Sequence, residues 1–321
     1  MKMLEFFETY PNEESCKEAF KQMRLKEGVK CKRCGNTAHY WKKNREQWEC
    51  KKCHHRTTLK SGTVMENSRL PYQYWFIAMH FLTTTKKSFS AKEIQRQLGH
   101  KRYEPIWAML HKIRAVMGIR DSFHKLKGNV EVDEAFFETV SITADKNAKQ
   151  KRGRGSTKQT TVLVSAEYEN VYDEEITKKH STDSKLGFVK MKVIPSLKKT
   201  DINSAVKKQI VRGSIIKTDG SNSYNDIKEN YRHEPTVVPN KEKSKALPWV
   251  HVIISNAKRM LLDVHHRIDS DFLENYINEY VFKLNRRYFD CLFERVLIAA
   301  VSYRWNWLCL LYTSPSPRDG L

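Results

Sequence analysis

Four of the seven cysteines stand as two equally spaced pairs, Cys31-Lys-Arg-Cys34 and Cys50-Lys-Lys-Cys53, with 15 residues between the pairs. No other feature constrains the chain as tightly. A C-x2-C corner places two thiolates on one turn, and two such corners close a tetrahedron around Zn2+ at about 2.3 Å per sulfur. Lys32, Arg33, Lys51 and Lys52, inside the corners, favour the thiolate form. Between the pairs, Thr37–Trp41 and Gln47–Cys50 alternate aromatic and polar residues as short strands do, so a zinc ribbon is expected. Disulfides or a redox C-x-x-C are the competing reading, and they suit an exported chain. Cys16, Cys291 and Cys309 lie in apolar or helical contexts and read as small packed residues.

The N-terminal MKMLEFFETYPNEE is acidic and mixed, unlike a secretory signal, and no apolar run approaches the ~18–20 residues that span a bilayer. The reading is therefore a cytoplasmic chain in a reducing environment, nucleoid-associated if it binds DNA. Its charge is uneven. Residues 1–129 carry 27 Lys and Arg against 12 Asp and Glu, whereas residues 130–321 carry 31 against 25. A basic module ahead of a nearly balanced one suits phosphate-backbone binding, where each neutralised phosphate releases counterions; a merely solvated surface is the alternative.

Helical spacing follows the ribbon. Pro71–Leu82 is apolar and opens at a proline, Ser90-Ala-Lys-Glu93 forms a capping box for a second helix ending at Gly99, and Glu104–Met117 carries an apolar stripe. Helix, short glycine-containing turn, helix is the helix-turn-helix arrangement, and any small three-helix bundle shares the pattern. His100, Lys101, Arg102, Lys112 and Arg114 are its candidate DNA contacts.

Past Lys127 the period changes. Gly128–Glu138, Thr160–Ala166 and Phe188–Ile194 read as strands, Asp201–Val211 as a helix, and Ser214–Gly220 as a short buried strand, an α/β layered pattern. Helices follow over about Phe272–Asn285 and Cys291–Trp307. The Lys151–Gly155 loop offers Arg152 and Arg154 either to DNA or to solvent.

Asp133 sits inside an otherwise apolar strand, and Asp219 closes another at Thr-Asp-Gly. An unpaired buried carboxylate is costly. On neighbouring strands the two could share divalent cations and form a two-metal site for in-line phosphoryl transfer. Taken singly, Asp219 also reads as a turn former and Asp133 as an outward residue.

These features form an ordered set: the ribbon, Ser61-Gly-Thr63, the helical region, Val132-Asp-Glu134, Thr218-Asp-Gly220, Leu247–His251 with Ser255–Lys258, and Asn285-Arg-Arg287. From about residue 10 to 307 the set resembles bacterial insertion-sequence transposases with an N-terminal zinc ribbon and an RNase H-like core of the DDE type. The resemblance implies Asp133 and Asp219 as the first two catalytic carboxylates, Mg2+ or Mn2+ as catalytic metal, and Zn2+ as structural metal. The third position varies in this family, where Glu, Asn or His stands seven residues before a lysine. His251 and Lys258 have that separation, two helical turns that share a face. His251 is thus the expected third ligand, Asn256 its rival, and Glu134 a weaker candidate on the opposite side of its strand. Lys258, supported by Arg259, would contact DNA phosphate. The implied activity is metal-dependent cleavage of element ends and strand transfer into target double-stranded DNA, by a homodimer or larger assembly on DNA. A DNA-binding regulator without catalysis and a nuclease that cuts without joining are the competing functions.

The expected organisation is residues 1–65 as zinc ribbon with an N-terminal helix, 66–126 as the helix-turn-helix-like region, 127–307 as the RNase H-like core, and 308–321 as a tail. That Ser/Pro-rich tail resembles translated adapter sequence, and is read as non-native or disordered.

Overall fold

The computed structural model describes residues 1–140, 158–170, 184–237 and 246–305. The described residues divide into two compact units, one of residues 1–120 with 288–305 and the other within residues 121–287.

The first unit begins with α1 (Met3–Thr9) and α2 (Glu13–Glu27). Asn12 starts α2 by accepting from Ser15 N at 2.9 Å, and Gly28 ends it at φ +88°, which favours a residue without Cβ. The ribbon follows as an antiparallel sheet of β1 (His39–Lys42), β2 (Gln47–Cys50) and β3 (Arg56–Thr58), with Trp48 buried beneath the Arg24 guanidinium. Three helices continue the unit: α3 (Tyr72–Thr84), α4 (Ala91–Leu98) and α5 (Glu104–Ser122), the last crossing into the second unit at its end. Ser90 caps α4 by accepting from Glu93 N at 3.0 Å, and Gly99 closes it in the left-handed region.

Ribbon and helices are one unit rather than two. Arg24 of α2 donates to the main-chain oxygens of Thr58 and Leu59, and the Glu13 carboxylate accepts from Tyr72 N at 2.9 Å and Gln73 N at 2.8 Å. Glu13 thereby supplies the start of α3 with the cap its own Pro71 lacks.

The second unit is built on a sheet of β4 (Asn129–Glu138), β5 (Gln159–Asn170), β6 (Ser184–Val193), β7 (Ile215–Asp219) and β8 (Arg232–Thr236), in the order β6-β5-β4-β7-β8. The first three pair antiparallel, and β7 and β8 join in parallel. This mixed five-stranded sheet, with helices packed on it, is the α/β layer expected from the sequence. The strand period of two sorts β4 into two faces. Val130 and Val132 pack with Ile202 and Val206 of α6 (Lys199–Gln209) and with Tyr224 and Ile227 of the 3-10 segment Asn222–Glu229. Glu131 and Asp133 face the opposite side, toward α7 (Pro248–Leu262), and α8 (Leu273–Asn285) packs against β6.

Residues 288–305 belong to the first unit, which corrects the expected 127–307 core. Their helix, α9 (Leu292–Ser302), packs on α2 and α3, and its Phe293 ring meets Phe6, Tyr10, Phe76 and His80. Ala300 O also accepts from Val64 N at 3.0 Å. An apolar helix suits either core by sequence; only these contacts assign it. The expected tail, residues 308–321, lies outside the described residues.

Candidate functional site

The zinc centre needs two corners held close, and β1–β3 hold them. Cys31 Sγ lies 3.5 Å from Cys53 Sγ and Cys34 Sγ 3.5 Å from Cys50 Sγ, with all four sulfurs within 4.8 Å of one another. Sulfurs on a tetrahedron of about 2.3 Å bonds stand about 3.8 Å apart, so the four cysteines fit Zn2+. Burial works against a thiolate at Cys50, but the amides of Cys53 and Lys52 and the Asn36 side chain outweigh it and bring the thiol down to about 5. Hydrogen bonds from main-chain amides and from neighbouring side chains, rather than the charges of the corner lysines, supply that stabilisation. Lys32 instead pairs with Glu66 at 2.7 Å, which also holds Arg304 at 3.0 Å.

Of the helical DNA contacts expected from sequence, Lys112 and Arg114 are corrected: both are buried. Lys112 Nζ donates to Glu66 O at 2.8 Å, and Arg114 donates to Phe89 O at 3.1 Å and Ser88 Oγ at 3.3 Å. Every residue of α5 from Ala108 to Met117 is buried, so this helix is a core element with no polar face over that stretch. The sequence showed one apolar stripe, whereas the fold covers the whole circumference and satisfies two cations internally. The turn before α5 stays accessible, with Lys101 and Arg102 exposed and His100 half-buried, its Nδ1 2.8 Å from Arg102 O. Arg152 and Arg154 lie outside the described residues.

In the second unit, Asp133 comes from the middle of β4 and Asp219 from the last position of β7. Glu131 pairs with Lys217 across these parallel strands; two residues further on stand the two aspartates. They line a cavity of about 740 Å3 together with Glu134, Ser221, Leu247 and His251. His251, on the first turn of α7, places Nε2 4.0 Å from Asp133 Oδ2. Asp219 Oδ1 accepts from Ser221 N at 3.1 Å, which fixes the carboxylate at the strand's end. A site beyond the carboxyl ends of strands is where open α/β sheets place ligands.

Glu134 reaches the cavity rim from the other side of β4, beside the fully buried Tyr224. Burial pushes its carboxyl up to about 7, and the charges of Asp133 and Asp219 act in the same direction. Glu131, buried behind Asp133 on the same side of the strand, is also raised to about 7 by burial, against the pull of the Val250 and Trp249 amides. Sequence reasoning missed Glu131, because a charged residue in an alternating strand reads as outward. Lys258 shares the β4-facing side of α7 with His251, with Nζ 5.7 Å from the Phe137 ring centre, and is not among the residues lining the cavity. Asn256 and Arg259 are exposed.

The Asn285-Arg-Arg287 motif is structural. Asn285 exchanges hydrogen bonds with both main-chain groups of Val189 and donates to Asp121 Oδ2, Arg286 pairs with Asp121 at 2.6 Å, and Arg287 donates to Leu186 O and Gly187 O. Asn285 and Arg287 fasten the end of α8 to β6, and Arg286 ties it to Asp121.

Residues 125–285 match the ISXO2-like transposase domain, and residues 11–56 match a transposase zinc-ribbon domain. The chain belongs to the ISXO2-like transposase family, and its function is that of a DNA transposase. Among solved structures, it is similar to the catalytic domain of Mos1 mariner transposase at 12% identity, covering 61% of this chain and 95% of that one with a TM-score of 0.29. It is also similar to the Mos1 mariner paired end complex with Mn, at 12% identity over 74% and 81% of the two chains with a TM-score of 0.28. No curated protein matches the sequence. Among the described residues, no helix is long and apolar enough to cross a membrane.

Proposed function

We propose that this transposase cuts and joins DNA by two-metal phosphoryl transfer at the Asp133, Asp219 and His251 cavity. The observation that carries the reading is the convergence of two strands and a helix there, each contributing one metal-ligating side chain. Two carboxylates with one imidazole suit Mg2+ or Mn2+, and the nitrogen donor suits Mn2+ better than the harder Mg2+. Such ions, when bound, activate an attacking hydroxyl and neutralise charge on the leaving oxygen. Asp133 and Asp219 hold the charge that keeps cations in the cavity, and His251 presents a neutral donor beside Asp133. Lys258 and Arg259, further along α7, offer cations to the DNA backbone. Zn2+ at Cys31, Cys34, Cys50 and Cys53 is structural. Lys101 and Arg102 offer phosphate contacts on the first unit. Joining an element end to target brings two double-stranded DNA partners together, which a homodimer or larger assembly on DNA would hold.

The test is cleavage and joining of a supercoiled plasmid carrying element ends, with Mg2+ or Mn2+. Wild type is expected to cut and join, and Asp219→Asn to do neither. DNA binding without cutting under either metal would overturn the catalytic reading.

A further inference from the structure

We infer that Glu131 is a positioning residue, which docks the start of α7 onto β4 and thereby sets the distance between His251 and Asp133. This rests on the reading of His251 as part of the active site.

A helix leaves its first amides without partners, and these are ordinarily met by a Ser, Thr, Asp or Asn just before it. Helix α7 has no such cap: it opens at Leu247 with Pro248 in its first turn. Proline removes one donor, and the amides of Trp249 and Val250 remain. Glu131 Oε2 accepts from Val250 N at 3.1 Å, from a side chain that is only 3% exposed. A carboxylate also complements the positive end of the helix. The cap therefore comes from another element, and from the strand that carries Asp133.

Three contacts then run along the same two elements in the same direction. Glu131 meets Val250, Asp133 faces His251, and Phe137 lies under Lys258. The first is the only hydrogen bond of the three, and it lies one residue from His251 on the helix and two from Asp133 on the strand. A helix held there can neither rotate nor slide without breaking a buried hydrogen bond, which costs the full desolvation of the group left behind. The first unit uses the same device where Glu13 caps the proline-opened α3. Glu131 is not among the residues lining the cavity, so what compensates its buried carboxylate is the α7 amides, with the charge of the neighbouring Lys217 beside them.

The experiment uses the full chain with Glu131→Gln, Glu131→Asp and Glu131→Ala, each alone and with His251→Ala. Gln keeps an acceptor of the right length without charge, while Asp keeps the charge and falls short of the amides. Hydrogen exchange over residues 248–251 is expected to quicken in the Asp and Ala variants and to hold in the Gln variant. Mn2+ affinity, read by electron paramagnetic resonance on the chain alone, and plasmid cleavage should each fall about 10–100-fold for Asp and Ala, while Gln stays within about threefold. In the His251→Ala background the Glu131 substitutions should cost little more, since both act on one group. Plasmid retention should not change. Should Glu131→Ala fail to fold, the order of Gln over Asp decides. Asp outperforming Gln, losses that add fully to His251→Ala, or unchanged exchange at Trp249 and Val250 would each overturn the inference. A wild-type chain that holds Mn2+ without cutting counts against the proposed function alone, and the exchange and Mn2+ measurements still decide for Glu131.

Discussion

His251 Nε2 stands 4.0 Å from Asp133 Oδ2, across the gap between α7 and β4. The imidazole is thus near enough to share an ion with the carboxylate. On the proposed reading, losing either aspartate removes charge from the cation site, whereas losing His251 removes a nitrogen donor. Asp133→Asn and Asp219→Asn are expected to reduce metal-dependent cleavage to background, and His251→Ala to lower it at least about 100-fold, more than the usual loss from an outer supporting group. Single-turnover cleavage with Mn2+ measures both.

Chelation should act on the first unit before the second. The four sulfurs form the one metal-ligating cluster among the described residues whose donor atoms already lie within 4.8 Å. Atomic absorption is expected to find one zinc per chain, and Cys34→Ser to lose it. Metal loss at such sites forfeits folding free energy on the order of 10 kcal/mol, so exchange protection should drop over residues 31–58.

Buried Lys112 makes the stability of the first unit depend on pH. Burial lowers its ammonium to about 8, against about 10.4 in an unfolded chain. Between these values the unfolded state binds more protons than the folded one, so stability gained from this group rises with pH. Below about 8 both states are protonated and the cost of burying the charge is fully present. Relative to Lys112→Met, the wild type should gain up to roughly 3 kcal/mol from pH 8 to 10.5, read from urea melts of the two proteins.

DNA affinity separates buried cations from exposed ones. Lys101→Ala with Arg102→Ala should reduce the salt slope of duplex binding by up to about 2, if each meets a phosphate. Lys112→Met and Arg114→Met should leave that slope unchanged, since neither cation reaches the surface. Binding measured from 50 to 200 mM salt distinguishes the two pairs.

Asn285→Ala should destabilise the second unit by about 2–3 kcal/mol, because it strands both main-chain groups of Val189 and weakens the grip on Asp121. Thermal melts would show it, with the zinc content unchanged.

Local chemistry made much of this legible. Ser90 and Gly99 announce the ends of α4, the cysteine spacing announces the ribbon, and an aspartate inside an apolar strand announces the cavity. What stayed hidden depends on contacts between distant segments. The alternation of α5 showed one apolar stripe, but not that Glu66 and Phe89 would cover its cations. β8, Arg-His-Glu-Pro-Thr, has no apolar alternation and pairs through its backbone at the sheet's edge, where a proline is tolerated. Glu131 looked like a solvated charge because the helix amides it meets lie more than a hundred residues away. The register of Glu131 with Lys217 is likewise a property of the sheet, not of either strand alone.

The first unit is assembled from both ends of the chain, with Phe293 of α9 seated among rings from the first 80 residues. During synthesis those rings wait for some two hundred residues, including the whole five-stranded sheet, before their last partner is made. The entropic toll of such a long closure grows only with the logarithm of its length, but the delay is real time on the ribosome. A nascent transposase therefore completes its second unit first, while the basic module that begins the chain is the last to close.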